Sequence, residues 1–600
     1  MGANAVVAAI VLAGASLPLR AQTTDVALGI EALARRDIRG AEAAFARGTG
    51  ASDPSVRSAA HQWRGHIAWK IRGDTIAAVR HLSQALASAR DSSMVMLEIA
   101  RLSGARRRHR EAVRTAFEAM SRSLDGERRG LAARTLVSLA VSGAFASGTG
   151  SLSDSVDLSV LAVVRDTLRA RAGRFPGRTV DAMALMEAGA LLGDVRSVHV
   201  AWTHYFSLVD SATGASIRAA EPKLQGNQEP ETQTGRLLVT LMESRLYVPA
   251  VLLLRSARGD TMRPPAWMSD AVRYVRFTRA MQSAAEQHYR GALAGASRNG
   301  DINRALAVHG RELWDGLGWS APRAGPRPDF YPAALQRELA TRFGTVLSIE
   351  KSGSIEELHL AHRIATHAVS TGSATATVVV LDGVAANGVD AWLLDGAGGR
   401  AASVAHDTIF ERRTAFTETP FRAWIARNDP QSMPAELLRI LRDSTADESR
   451  ARTDSLGFLP GVAARMFRDG AQRIADSTFA QTVYAALRQS TVVLHEARHI
   501  ADNRSGHAVS AVEAEFRAKV EEVSRASHPR LAMTAILTPK IGDASAHGQA
   551  NRRVMLGLNK WIREHGPAIA GYDAAMPALL QLPRLSDAQL REAFGSMKRW

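Results

Sequence analysis

A chain of 600 residues is too long for a single hydrophobic core, and its 46% hydrophobic and 22% charged residues describe a globular protein rather than a disordered one. The formal charge of +16 rests on arginine, since only seven of the 75 basic side chains are lysines; the densest run, RRRHR at 106–110, has no interleaved aromatic for base stacking, so nucleic acid is not the expected partner. There is no cysteine, which excludes disulfides, thiolate catalysis and Cys-ligated zinc.

An apolar stretch runs from Ala5 to Leu19. It is too short for a comfortable membrane span and reads as a secretory signal over 1–21, cleaved after Ala21. No other segment is long and apolar enough to span a bilayer. The expectation is an exported protein, periplasmic or secreted, with no transmembrane domain beyond that signal.

From 25 to 315 the chain reads as helix with an irregular internal repeat. RDIRGAEAAFARG (36–48), GDTIAAVRHLSQAL (73–86) and RRHREAVRTAFEAM (107–120) place Ala41, Ala78 and Ala112 in one register, with Phe45, Leu82 and Ala116 four positions later. GDVRSVHVAW (193–202) is a further candidate copy. Small residues in such a register let paired helices pack closely, and pairs that cannot bury their faces alone stack on one another. The pattern resembles tetratricopeptide repeats. The resemblance implies a helical-repeat domain whose surface recruits substrate or a protein partner.

GLGWSAPRAGPRPDFYP (316–332), with four Pro and three Gly, reads as a linker. Beyond it TATVVVLDG (375–383), DAWLLDG (390–396) and ASVAHDTIFERR (402–413) read as strands, and PAELLRILRDS (434–444) returns to helix. The fold class is therefore mostly α: a helical-repeat region followed by an α+β domain over 333–600. The linker predicts that a fragment from about residue 326 folds by itself. HLAHRIATH (359–367) is histidine-rich, but no carboxylate follows at ligand spacing, so a structural or substrate-facing role is expected.

The segment 477–502 has neither Gly nor Pro and reads as one long helix. Within it, HEARH sets His495 and His499 four residues apart, on one helical face, where both rings reach a single metal ion. Glu496 sits beside that ion rather than on it, placed to take a proton from an attacking water as general base. Asp502 shares the face and could accept a hydrogen bond from a ligand histidine, fixing its tautomer.

This constellation resembles the zincin metallopeptidases. Asp502 and Ser505 stand where metzincins need Gly and His, which leaves the gluzincin type. That resemblance implies Zn2+, a zincin-like catalytic domain, and a third ligand from the helix at 510–523. Glu515 is preferred there over Glu513, because alanines gather on its side and EFRA (515–518) looks like the Glu-x-x-Ala of several gluzincins. It also implies a transition-state stabiliser, for which His547 is the candidate, and a sheet whose edge strand pairs with an extended substrate. The expected function is an exported zinc-dependent metallopeptidase acting on a peptide or protein substrate. The rivals are a zinc hydrolase of non-peptide amides, and a helical-repeat binding or scaffold protein with a structural or vestigial zinc site.

Overall fold

The computed structural model describes residues 24–146, 157–219, 230–258, 266–296, 301–319, 332–372, 374–395, 401–428, 459–506, 509–537 and 545–598. The expected signal at 1–21, most of the linker and the helix expected at 434–444 lie outside the described residues. What is described is mostly helical, with one five-stranded mixed sheet.

The N-terminal half is built of antiparallel helix pairs. Thr24–Ala34 pairs with Ile38–Gly48, Pro54–Lys70 with Thr75–Ser88, Ser93–Ala105 with His109–Arg122, and Thr179–Leu192 with Val195–Tyr205. One turn design recurs in all four. A residue in the left-handed region ends the first helix: Arg36 (φ 63°), Gly73 (69°), Arg107 (61°) and Gly193 (68°). The next N–H reaches back into that helix, as Asp37 N does to Ala32 O (2.8 Å) and Asp194 N to Gly189 O (2.8 Å). In three of the pairs the same residue is an aspartate that caps the second helix, Asp37 accepting from Gly40 N, Asp74 from Ile76 N and Ala77 N, and Asp194 from Ser197 N. A reversal of two to four residues leaves the helices side by side.

Ala41, Ala78 and Ala112 are fully buried, as are Phe45, Leu82 and Ala116 to within 1%. Their close packing also needs glycines on the first helices that the repeat pattern did not single out. A Cβ on Gly29 would lie 2.4 Å from the Phe45 ring, and one on Gly65 2.8 Å from Leu82. Gly29→Ala should therefore destabilise the protein by about 1–3 kcal/mol through overpacking. The measurement is the urea midpoint, and a gain in stability, as expected of Gly→Ala at an open helical site, would contradict the packing.

The sheet comprises β1 (Thr345–Ser352), β2 (Ile355–Ser370), β3 (Thr375–Asn387), β4 (Ala402–Ala405) and β5 (Thr408–Arg412), in the order β1-β2-β3-β5-β4. All neighbours are antiparallel except β3 and β5. Three expectations are corrected here. The segment 390–396 is not a strand: Gly388, at φ 83°, ends β3, and Gly388–Leu393 is a short helix that sends Leu393 into a cluster with Val26 and Ile67. The segment 402–413 is a hairpin rather than one strand, reversed at His406 (φ 52°) and Asp407. Strands β1 and β2 were not foreseen at all. The histidine-rich stretch lies on β2, where His359 and His362 are buried and His362 Nε2 meets Tyr274 Oη at 2.6 Å, a structural role.

Helical half and sheet share one core. A continuous apolar cluster runs from Met96 on the third helix pair to Ile355, Leu358 and Leu360 of β2. Buried polar contacts cross the same boundary. The fully buried Arg413 binds Asp382 Oδ2 at 2.9 and 2.6 Å and donates to the carbonyls of Tyr205 (3.0 Å) and Leu208 (3.3 Å). Arg36 reaches Glu357 and Asp390, both at 2.8 Å, and Arg178 reaches Glu418 at 3.0 Å. The described residues on either side of 320–331 thus share one core, which counts against autonomous folding of the C-terminal part.

Candidate metal centre

The helix carrying HEARH is not the regular one expected. Phe479–Arg488 is α-helical, Gln489–Leu494 widens into a π-helical turn, and His495–Arg504 is α-helical again. The local sequence stabilises the wide turn: Ser490 Oγ donates to Ala486 O (3.0 Å) and Thr491 Oγ1 to Leu487 O (2.6 Å), serving carbonyls that a π turn leaves short of donors. Arg488 anchors its start, with Nε 2.7 Å from Glu411 Oε2 on β5 and a donor 3.0 Å from His367 Nε2 on β2.

Just past this turn three side chains converge. His495 Nε2 and His499 Nε2 are 3.2 Å apart. Glu515, from the helix Ala511–Ser524, presents one carboxylate oxygen to each, Oε2 at 3.5 Å from His495 Nε2 and Oε1 at 3.6 Å from His499 Nε2. An ion held tetrahedrally at about 2.0–2.1 Å by N and O donors spaces those donors about 3.3–3.4 Å apart. The triangle therefore has the size and donor set of a site for one small cation.

The protonation pattern follows from the same geometry. Two facing Nε2 atoms at this distance cannot both carry a proton. Burial would lower the pKa of His495, but the Glu515 and Glu522 carboxylates outweigh it and raise it to about 10. Burial and then the charge on His495 depress His499 to about 3. Glu515 resists its own burial, because His495 and His547 hold its carboxyl well below the usual carboxylate range. Glu496 is 2% exposed, burial pushes its carboxyl upward, and its Oε1 has no hydrogen-bond partner.

The other candidates fall as follows. Glu513 is turned away from the cluster, bound to Arg517 at 2.7 Å and to Arg553. Asp502 touches no histidine; it accepts from Arg498 and, at 3.4 Å, from Arg517. The carboxylate that holds His495 is Glu522, whose Oε2 lies 3.2 Å from Nδ1, so that Nδ1 donates outward and the Nε2 proton is the one a metal would displace to gain a lone pair facing the cluster. Its position was legible in principle, since 515 and 522 are seven residues apart and share a helical face. His547 Nδ1 lies 2.8 Å from Glu515 Oε2.

A second group, His66, Glu98 and Asp395, is also compact enough to consider. Its charges are already matched. His66 Nδ1 meets Glu98 Oε1 (2.8 Å) and Nε2 meets Leu393 O (3.0 Å), Arg101 binds both Glu98 (3.0 Å) and Asp395 (3.1 Å), and Lys70 binds Asp395. Two cationic side chains stand where an ion would, so this is a clamp between the helical half and the segment after Leu393. No protein-family model, curated protein or solved structure matches the chain.

Proposed function

We propose that the protein is a zinc-dependent metallopeptidase with a zincin-like catalytic domain, in which His495, His499 and Glu515 hold the metal. The observation that carries this reading is the donor triangle with Glu496 adjacent to it, its carboxylate buried and one oxygen unpartnered. Three protein donors leave a fourth position for a reactant, the pattern of catalytic rather than structural zinc, which favours an enzyme over a scaffold with a structural site. Zinc, when bound, supplies Lewis acidity to the scissile carbonyl and lowers the pKa of water. Glu496 accepts the proton of the attacking water and passes it to the leaving nitrogen. Glu522 keeps His495 in the tautomer that offers Nε2 inward.

A peptide substrate is favoured over another amide by the sheet. β4 is the last strand in the sheet order, so one edge pairs with no strand among the described residues, and it packs beside the helix His495–Arg504. An extended peptide adding to that edge would run past the metal. The helix pairs are read as tetratricopeptide-like and as the surface that recruits the substrate or a partner. The apolar stretch at 5–19 supports export to the periplasm or beyond.

The test is metal content by mass spectrometry on full-length protein. One equivalent of zinc is expected, lost in His495→Ala and in Glu515→Gln and kept in Glu513→Gln. Zinc retained in Glu515→Gln but lost in Glu513→Gln would reverse the choice of ligand, and no zinc in the wild type would overturn the reading.

A further inference from the structure

We infer that His547 is a positioning residue for the third ligand, Glu515, rather than a group that meets the substrate. This rests on the metal-centre reading above. Ser545 caps the helix Ala546–His565, its Oγ accepting from Gly548 N at 3.1 Å, and so puts His547 in the first turn. That helix packs along Ala511–Ser524, with Ala550 and Val554 in the same apolar cluster as Phe516 and Val520. The Arg553 guanidinium lies over the Phe516 ring, 3.8 Å from its centroid, and also binds Glu513. The relative placement of the two helices is therefore fixed independently of the metal.

In that frame the nitrogen nearest the backbone of His547, Nδ1, is the one that faces Glu515 Oε2, at an ion-pair distance of 2.8 Å without hydrogen-bond alignment. Glutamate is a long side chain with three rotatable bonds. Its carboxylate must present oxygens towards two histidines at once, and a contact from outside the triangle removes its freedom to turn. His547 does this while remaining outside the set of mutually close donors formed by His495, His499 and Glu515, so the fourth position stays open. A group that stabilises an oxyanion must instead face that open position, which only Nε2 of this ring could do.

The two roles use different ring nitrogens, and amide variants separate them. The side-chain nitrogen of Asn falls near Nδ1 of histidine, and that of Gln near Nε2. Full-length wild type, His547→Asn, His547→Gln and His547→Ala are titrated with Zn2+ against a chelator, and their Co2+ forms are compared by visible absorption. Circular dichroism establishes folding, which the polar Asn and Gln variants should preserve even if Ala does not. The expected result is a loss of about 10–100-fold in zinc affinity in Gln and Ala, with altered Co2+ bands, and near wild-type affinity and bands in Asn. Wild-type affinity and spectrum in Gln or Ala, or an equal loss in Asn and Gln, would overturn the assignment to Nδ1. A wild-type protein that takes up neither metal would instead overturn the metal-centre reading on which it rests.

Discussion

Glu496→Gln should reduce peptide hydrolysis by at least about 10²–10⁴-fold while the zinc content stays at the wild-type level. The two halves of that result come from separate features. Metal retention is expected because Glu496 lies outside the triangle of His495, His499 and Glu515 that is proposed to hold the ion. Loss of turnover is expected because the amide has the shape of the carboxylate but cannot accept a proton. The buried oxygen of Glu496 without a hydrogen-bond partner is a group whose desolvation is otherwise unexplained, and a bound water would satisfy it. Turnover at the wild-type rate in the zinc-loaded variant would remove Glu496 from the mechanism. Loss of zinc together with activity would mean that the carboxylate is a ligand.

The second large effect is on stability. Asp382→Ala should cost about 3–5 kcal/mol, because it leaves the fully buried Arg413 guanidinium without its counter-charge. The same carboxylate accepts from the Tyr205 hydroxyl, so the variant also orphans a buried phenol from the helical half. Arg413 itself reaches back to the carbonyls of Tyr205 and Leu208. A C-terminal fragment beginning near 332 lacks all three partners and exposes the β2 face that joins the shared apolar cluster, so it should be insoluble or unfolded. Urea unfolding of the full-length variant and solubility of the fragment are the measurements. A loss below about 1 kcal/mol, or a soluble fragment with cooperative unfolding, would show that the sheet and the helices after it are self-sufficient.

How much of this could be read in advance depends on whether the cause is local. His495 and His499 were legible because i and i+4 on a helix need nothing from the rest of the chain. The Ala41, Ala78 and Ala112 register was legible for the same reason. Glu515 over Glu513 was a choice between two faces of one helix, and the surroundings that settle where each points, Arg517 and Arg553 around Glu513, include a helix 40 residues away. Glu522 was missed because its partner, His495, is 27 residues distant, and seven-residue spacing on the third-ligand helix was never weighed. Strand β2 was missed because it does not alternate. Residues 355–362 are buried on both faces, with Glu356, Glu357 and His362 each meeting a polar group of the helical half that covers them, so charged residues stand where the period-two rule expects water. The error at 390–396 has the opposite origin. Trp392, Leu393 and Leu394 are three consecutive apolar residues, which fit a buried strand and a buried helical turn equally well, and only Gly388 argues for the break.

The π turn at Gln489–Leu494 has a consequence for the angular phase of the helix it interrupts. A turn closed by i→i+5 bonds takes up one residue more than an α turn, so everything after it is rotated by about 100° relative to an uninterrupted helix. The residues before it, among them Phe479, Val483 and Leu487, point into their own apolar cluster, and His495 and His499 point at Glu515 only because of that extra residue. Deleting one residue between 489 and 494 would give a regular helix with a complete hydrogen-bond ladder and would swing both imidazoles away from the carboxylate. At this place the more regular backbone is the one that cannot assemble the centre, and a single codon separates the two.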